Sequence, residues 1–93
     1  MASRVHLAVE IVIIPIARKK LEKRGIQQKW VEETIQKPTQ TVPGYGGRTV
    51  YQRLYQKQGQ KEQLLRVICE VNENKYVVIS VYLTSDIKRY RRT

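Results

Sequence analysis

Phenylalanine is absent from this chain, and cysteine, histidine, tryptophan and methionine each occur once. A single cysteine excludes an internal disulfide. One cysteine and one histidine leave no zinc-type ligand spacing, so no metal or cofactor is expected. Cys69 falls among apolar residues and reads as a small buried hydrophobe. His6, near the first residue, reads as a surface or edge residue rather than a catalyst. Acidic residues are scarce as well: 8 Asp and Glu stand against 18 Lys and Arg, a formal net charge of +10. That excess points to nucleic acid, an anionic surface or an acidic protein as partner. Long hydrophobic runs are also missing. The apolar stretch 5–14 contains His6 and Glu10, stops at Pro15 and is too short to span a bilayer. No small-residue cleavage site follows it, so it does not read as a signal peptide. A cytoplasmic protein with no membrane association is the expectation.

What the chain does contain is a strand-rich centre. With 93 residues, it reads as one domain over 1–93. Residues 64–85 read as a β-hairpin: both arms are rich in Val, Ile, Leu and Tyr, and Asn72-Glu73-Asn74 supplies the turn. Alternation puts Leu65, Val67, Cys69 and Val71 on one face of the first arm, with Leu64, Arg66, Ile68 and Glu70 opposite. In the second arm Val77, Ile79, Val81 and Leu83 form an apolar row, with Tyr76, Val78, Ser80 and Tyr82 opposite. A third strand, 49–56, would add Val50 and Leu54 to the core face and Tyr51, Arg53 and Tyr55 to the other. The expected result is a plain core face and a face of Tyr51, Arg53, Tyr55, Arg66, Tyr76 and Tyr82. Such a face suits a phosphate backbone and stacked bases. The same pattern also describes a half-solvated sheet, where tyrosine is common for its β-propensity. Leu64, Ile68 and Val78 on that face imply a cover, either the C-terminal tail or a partner.

The remaining elements follow in order. Residues 5–14 read as a strand, with a helical stripe through Leu7, Ile11 and Ile14 as the alternative. Pro15 opens a basic helix that Gly25 closes. Its Arg18, Lys19, Lys20, Lys23 and Arg24 are either a solvated face or an electrostatic footprint. A second helix runs over 26–36 and stops before Pro38. Trp30, Val31, Thr34 and Ile35 recur along it at helical spacing and should pack on the sheet. Residues 39–48 read as a glycine-rich loop. It lacks the Gly-Lys-Ser/Thr ending of a phosphate-binding loop, and Arg48 flanks it. After the hairpin, Thr84 or Ser85 caps a short helical turn. Lys88 to Arg92 then bring cations and a tyrosine beside the Arg/Tyr face. The predicted fold is α+β: a twisted antiparallel sheet in the order β-α-α-β-β-β, with two helices packed on one face.

Three stretches carry a resemblance. They are Ala17-Arg18 with Leu21 and Lys23-Arg24-Gly25-Ile26, then Leu65-Arg66-Val67, then Val81-Tyr82-Leu83-Thr84-Ser85-Asp86-Ile87-Lys88-Arg89-Tyr90. Over residues 14–90 the chain resembles a family of small prokaryotic domains grouped with the RelE/ParE and BrnT-type toxins of toxin–antitoxin systems. Two positions depart from that family's pattern. Ile16 stands where the family has a histidine, and Lys20-Leu21 replaces an Arg-Met pair. The resemblance implies a single RelE/ParE-like domain acting as an endoribonuclease, free or on the ribosome, and held inactive by an acidic antitoxin.

For RNA cleavage the residues offered are Arg53 and Arg66, whose planar forks grip phosphate oxygens, and Tyr82, to stack or orient a base. Arg18, Lys19, Lys23, Arg48, Tyr51, Lys88, Tyr90 and Arg91 are the expected nucleic-acid contacts. Two other readings stay open. One is a non-catalytic nucleic-acid-binding module on the same fold, which the missing histidine favours. The other is a ParE-like toxin aimed at a protein.

Overall fold

The computed structural model of the protein describes residues 9–56 and 58–90. Along the chain run β1 (Glu10–Ile13), α1 (Pro15–Lys23), α2 (Gln28–Gln36), β2 (Gln40–Pro43), β3 (Thr49–Tyr55), β4 (Gln63–Asn72), β5 (Lys75–Thr84) and α3 (Ile87–Tyr90). The strands form one sheet in the order β1-β5-β4-β3-β2. The α+β class is as expected, and α1 and α2 share one face of the sheet. Residues 5–8 of the expected first strand lie outside the described residues.

The sheet departs from the expectation at both edges. It is mixed, because β1 runs parallel to β5 while every other pair is antiparallel. A parallel pair needs a long crossover, and here everything between β1 and β5 provides it. At the other edge, the stretch expected to be loop contains β2 and a 3-10 turn, Tyr45–Gly47. Pro43 concealed the strand. Proline is tolerated on an edge strand, where its missing N–H faces away from the ladder; among the described residues β2 pairs only with β3, Pro43 opposite Thr49.

Local chemistry closes the helices. Pro15 occupies the first turn of α1, where an N–H would lack a partner in any case. At the other end Gly25 takes φ +65°. Its N–H donates to the Glu22 carbonyl at 3.2 Å, and the Ile26 N–H donates to the Leu21 carbonyl at 2.9 Å. This pair of bonds is a Schellman motif, which glycine enters without a Cβ penalty. It also brings Ile26 beside Leu21, and both are buried. Ile26 therefore belongs to the closure of α1, and α2 begins at Gln28 rather than at residue 26.

The core lies between α1, α2 and the sheet. Ala17, Leu21, Ile26, Val31 and Ile35 meet Leu65, Val67, Cys69, Val78 and Val81. Two features of this core overturn the expected faces. First, β3 pairs Tyr51 with Val67 and Arg53 with Leu65, so Tyr51, Arg53 and Tyr55 point toward the helices. Val50, Gln52 and Leu54 take the open face. Second, a β-bulge shifts the β4–β5 register: Ile68 pairs with Ser80 but Cys69 with Val78. One extra residue reverses the parity beyond it. Tyr76 and Val78 therefore join the helix side, with Val81 and Leu83 above the bulge. Strict alternation from Leu83 down to Val77 fails at Ile79.

Burial on this side leaves a titration signature. Desolvation pushes the Cys69 thiol from its ordinary 9.0 up to about 12. Tyr51 is raised by burial first and then by Tyr76 and Cys69. Tyr55 is raised by burial foremost. Each group is held neutral by the fold and ionises more readily in the unfolded chain, so the unfolded state loses protons first and stability falls as pH rises. Urea midpoints should be level up to about pH 8.5 and decline above about pH 9. The Cys69→Ala variant should show a shallower decline between pH 9 and 10, whatever its absolute stability. An identical pH slope in the two proteins would contradict this account.

Candidate nucleic-acid interface

On the open face the side chains converge on Arg66, which is half-buried in the middle of β4. β3 sets Gln52 directly opposite it and β5 sets Tyr82 on its other side. The Arg66 Nε donates to Gln52 Oε1 at 2.6 Å. Its Nη1 donates to the Tyr82 hydroxyl oxygen. After β5 the Thr84 hydroxyl accepts the Asp86 N–H at 3.0 Å, which turns the chain into α3 and brings Tyr90 back over the same face. The guanidinium carbon lies 4.3 Å from the centre of the Tyr90 ring and 5.5 Å from that of Tyr82. The two rings meet edge to face at 6.1 Å. Cation–π contact and hydrogen bonds thus fix the arginine from several directions.

Gln52 is the residue that sequence reasoning missed. It is fully buried, and both ends of its amide are used. Its oxygen takes the Arg66 Nε; its nitrogen donates to Gln40 Oε1 at 3.3 Å and to the Tyr90 carbonyl at 3.2 Å. The signal available in the sequence was a lone amide between Val50 and Leu54, at a parity otherwise apolar. A buried amide must be satisfied, and this one is satisfied by holding the arginine and α3 together.

Among the described residues no carboxylate pairs with Arg66. Its partners are an amide, a phenol and an aromatic ring, so its positive charge is held in place without being neutralised. The Tyr82 oxygen accepts from Arg66, and its own O–H is not used in that bond. Lys88 and Arg89 on α3 are exposed next to this cluster, with Arg89 over the Tyr90 ring at 5.3 Å.

The other expected residues are dispersed. Arg53 does not join Arg66 and Tyr82. It lies on the helix side, donates to the Lys37 carbonyl and rests 5.6 Å from the centre of the Tyr55 ring. There it clamps the end of α2 to the sheet. Tyr51 is also on that side, edge-on to Tyr76 at 5.9 Å. Arg18, Lys19 and Lys23 are exposed on α1, in the helix layer, and Arg18 donates to Gln28 Oε1 at 3.1 Å. Arg48 does stand on the Arg66 face, but it is paired with Glu70 at 3.0 Å. Arg91 lies outside the described residues. Trp30 packs as expected, stacked on Tyr55 at 4.3 Å. Among the described residues no helix is long and apolar enough to cross a membrane.

Fold and site together define a small basic α+β domain with an arginine fixed on its open sheet face and paired with no described carboxylate. A family model described as a domain of unknown function, DUF4258, matches residues 17–83, and the chain belongs to that family. No curated protein and no solved structure matches it.

Proposed function

We propose that this domain binds RNA across its open sheet face and cleaves it at a phosphate held by Arg66, as a toxin-type endoribonuclease of the cytoplasm. The observation that carries the reading is the state of Arg66: half-buried, immobilised by Gln52, Tyr82 and Tyr90, and paired with no carboxylate among the described residues. Such a guanidinium has donors left for a phosphate oxygen, and its fixed fork suits charge that grows in a transition state. In RNA the 2′-oxygen attacks phosphorus and the bond to the 5′-oxygen breaks, leaving a cyclic phosphate and a 5′-hydroxyl. Arg66 would carry the added negative charge and Tyr82 would hand its proton to the departing oxygen. The described partners of Arg66 are Gln52, Tyr82 and Tyr90, and in this proposal the base that activates the 2′-hydroxyl comes from the ribosome. Position 16, isoleucine in place of the family histidine, lies on α1. The Arg66 cluster is built from β3, β4, β5 and α3, so that substitution removes nothing from it.

Kinship with the RelE/ParE and BrnT-type toxins is part of the same proposal. The Leu-Arg-Val and Tyr-Leu-Thr-Ser motifs of the resemblance contribute Arg66 and Tyr82, which touch each other. An acidic antitoxin rests on the charge of +10. It does not rest on the expected apolar patch of Leu64, Ile68 and Val78, because Leu64 and Val78 are 1% and 0% exposed within the single chain and only Ile68 is half-buried.

The test is to incubate purified protein with RNA, with and without ribosomes, and to measure affinity across salt. Affinity that falls steeply with salt is expected from counterion release, with cyclic-phosphate products when ribosomes are present. Salt-sensitive binding without cleavage in either condition would establish the second reading, a non-catalytic module. Among the described residues no histidine or carboxylate pairs with Arg66, which favours that alternative. Absence of binding at low salt would remove both.

A further inference from the structure

Among the described residues Tyr45 is the most exposed of the large apolar side chains, 92% open to solvent. Exposure of one aromatic is ordinary; its mounting is not. Tyr45 begins the 3-10 turn between β2 and β3, with Gly44 before it and Gly46 and Gly47 after it. The neighbours in sequence therefore have no side chains to lean on the ring. The turn is nonetheless closed. The Gly44 N–H donates to the Arg48 carbonyl at 2.7 Å and the Arg48 N–H returns to the Tyr45 carbonyl at 3.2 Å. Gly46 and Gly47 hold φ +62° and +79°, conformations that residues with a Cβ resist. A Cβ on Gly44 would stand 3.0 Å from Val50 Cγ2. Arg48 then ties the turn to Glu70 through its Nε and Nη2 at 3.2 and 3.0 Å. Glu70 and Arg66 are four residues apart on β4 with the same parity, about 13 Å along the strand. The Arg48–Glu70 tie therefore anchors the turn on the face that carries Arg66.

We infer that Tyr45 is a stacking platform for one unpaired nucleobase of a strand whose phosphate sits on Arg66. The inference rests on the RNA-binding reading above and adds the substrate class: single-stranded rather than duplex RNA. The ring is 92% exposed and no described ring or cation stacks on it, so a base has room to lie against it. A paired base presents no free face there. Stacking of this kind tolerates any base, because every base has a π-face. Selectivity at this position is then for unpairedness rather than for sequence.

The experiment compares a short fluorescent single-stranded RNA with the same sequence in a duplex, titrated with full-chain protein and three variants. Wild type should prefer the single strand. Tyr45→Ala should bind it about fivefold to 150-fold more weakly, the range for one lost stack. Its duplex affinity and salt slope should stay unchanged, because no phosphate contact is lost. Tyr45→Trp should regain the single-strand affinity. Arg66→Ala should weaken both substrates and flatten the salt slope. Exposure of Tyr45 means that its removal leaves the core intact, which an unchanged melting temperature would verify. If Tyr45→Ala binds the single strand like wild type while Arg66→Ala does not, Tyr45 is no platform and the RNA reading stands alone. If wild type binds neither substrate, the RNA reading fails and takes this inference with it.

Discussion

Arg66→Ala should lower ribosome-dependent RNA cleavage by about a hundredfold to a thousandfold, the usual loss when one transition-state donor is removed. Arg53→Ala should leave the cleavage rate near wild type and lower stability instead. The two arginines are only thirteen positions apart, on neighbouring strands. They serve opposite faces because Arg53 pairs with Leu65 and Gln52 pairs with Arg66. Arg66→Lys separates charge from shape. It keeps a cation but loses the fork that bonds Gln52 and Tyr82 together, so binding should survive better than cleavage. Gln52→Leu removes the amide that positions the guanidinium, and should lower the cleavage rate more than it weakens RNA binding. Single-turnover rates and titrations on the same preparations measure both quantities. Undiminished cleavage by Arg66→Ala would show that the open face is not where the reaction occurs.

Leu65→Ala should destabilise the fold by about 2–5 kcal/mol, the range for a leucine removed from a packed core. The whole stability of a domain this size is about 5–15 kcal/mol, so this one change removes a large part of it. Leu65 is 0% exposed, lies between Arg53 of β3 and Leu83 of β5, and faces α1 and α2. The urea midpoint should fall sharply with the slope unchanged, since the surface exposed on unfolding is nearly the same. Val71→Ala on the same strand, 41% exposed, should move the midpoint little. Equal effects from the two would mean that the core does not lie under the helices.

Much of this fold was legible in the residues. Pro15, Gly25 and Pro38 punctuate the helices because their backbone preferences act locally, whatever packs around them. The hairpin of β4 and β5 is legible because long apolar arms around Asn72-Glu73-Asn74 carry their own pairing signal. Leu65, Val67 and Cys69 were placed in the core correctly by alternation alone. Arg66 and Tyr82 were placed on one face together for the same reason.

Faces beyond that single hairpin were decided by tertiary structure. Alternation assigns a strand's two sides but not which side meets the helices. Apolar Val50 and Leu54 suggested one answer for β3, and its register with β4 imposed the other. The bulge at Ile79 is invisible in a run of apolar residues, yet it transfers Tyr76 and Val78 to the helix side. β2 was hidden by Pro43, whose cost depends on a neighbour absent from the local sequence. The parallel β1–β5 pair required the entire intervening chain to cross over. The site shows the same division. Charge, the Leu-Arg-Val strand and the C-terminal cations could be read directly. That Gln52 holds Arg66, that Tyr90 folds onto it, and that Arg53 stands on the far side depend on side chains brought together from separate strands. Local preference acts over a few residues, whereas a register is a relation between strands.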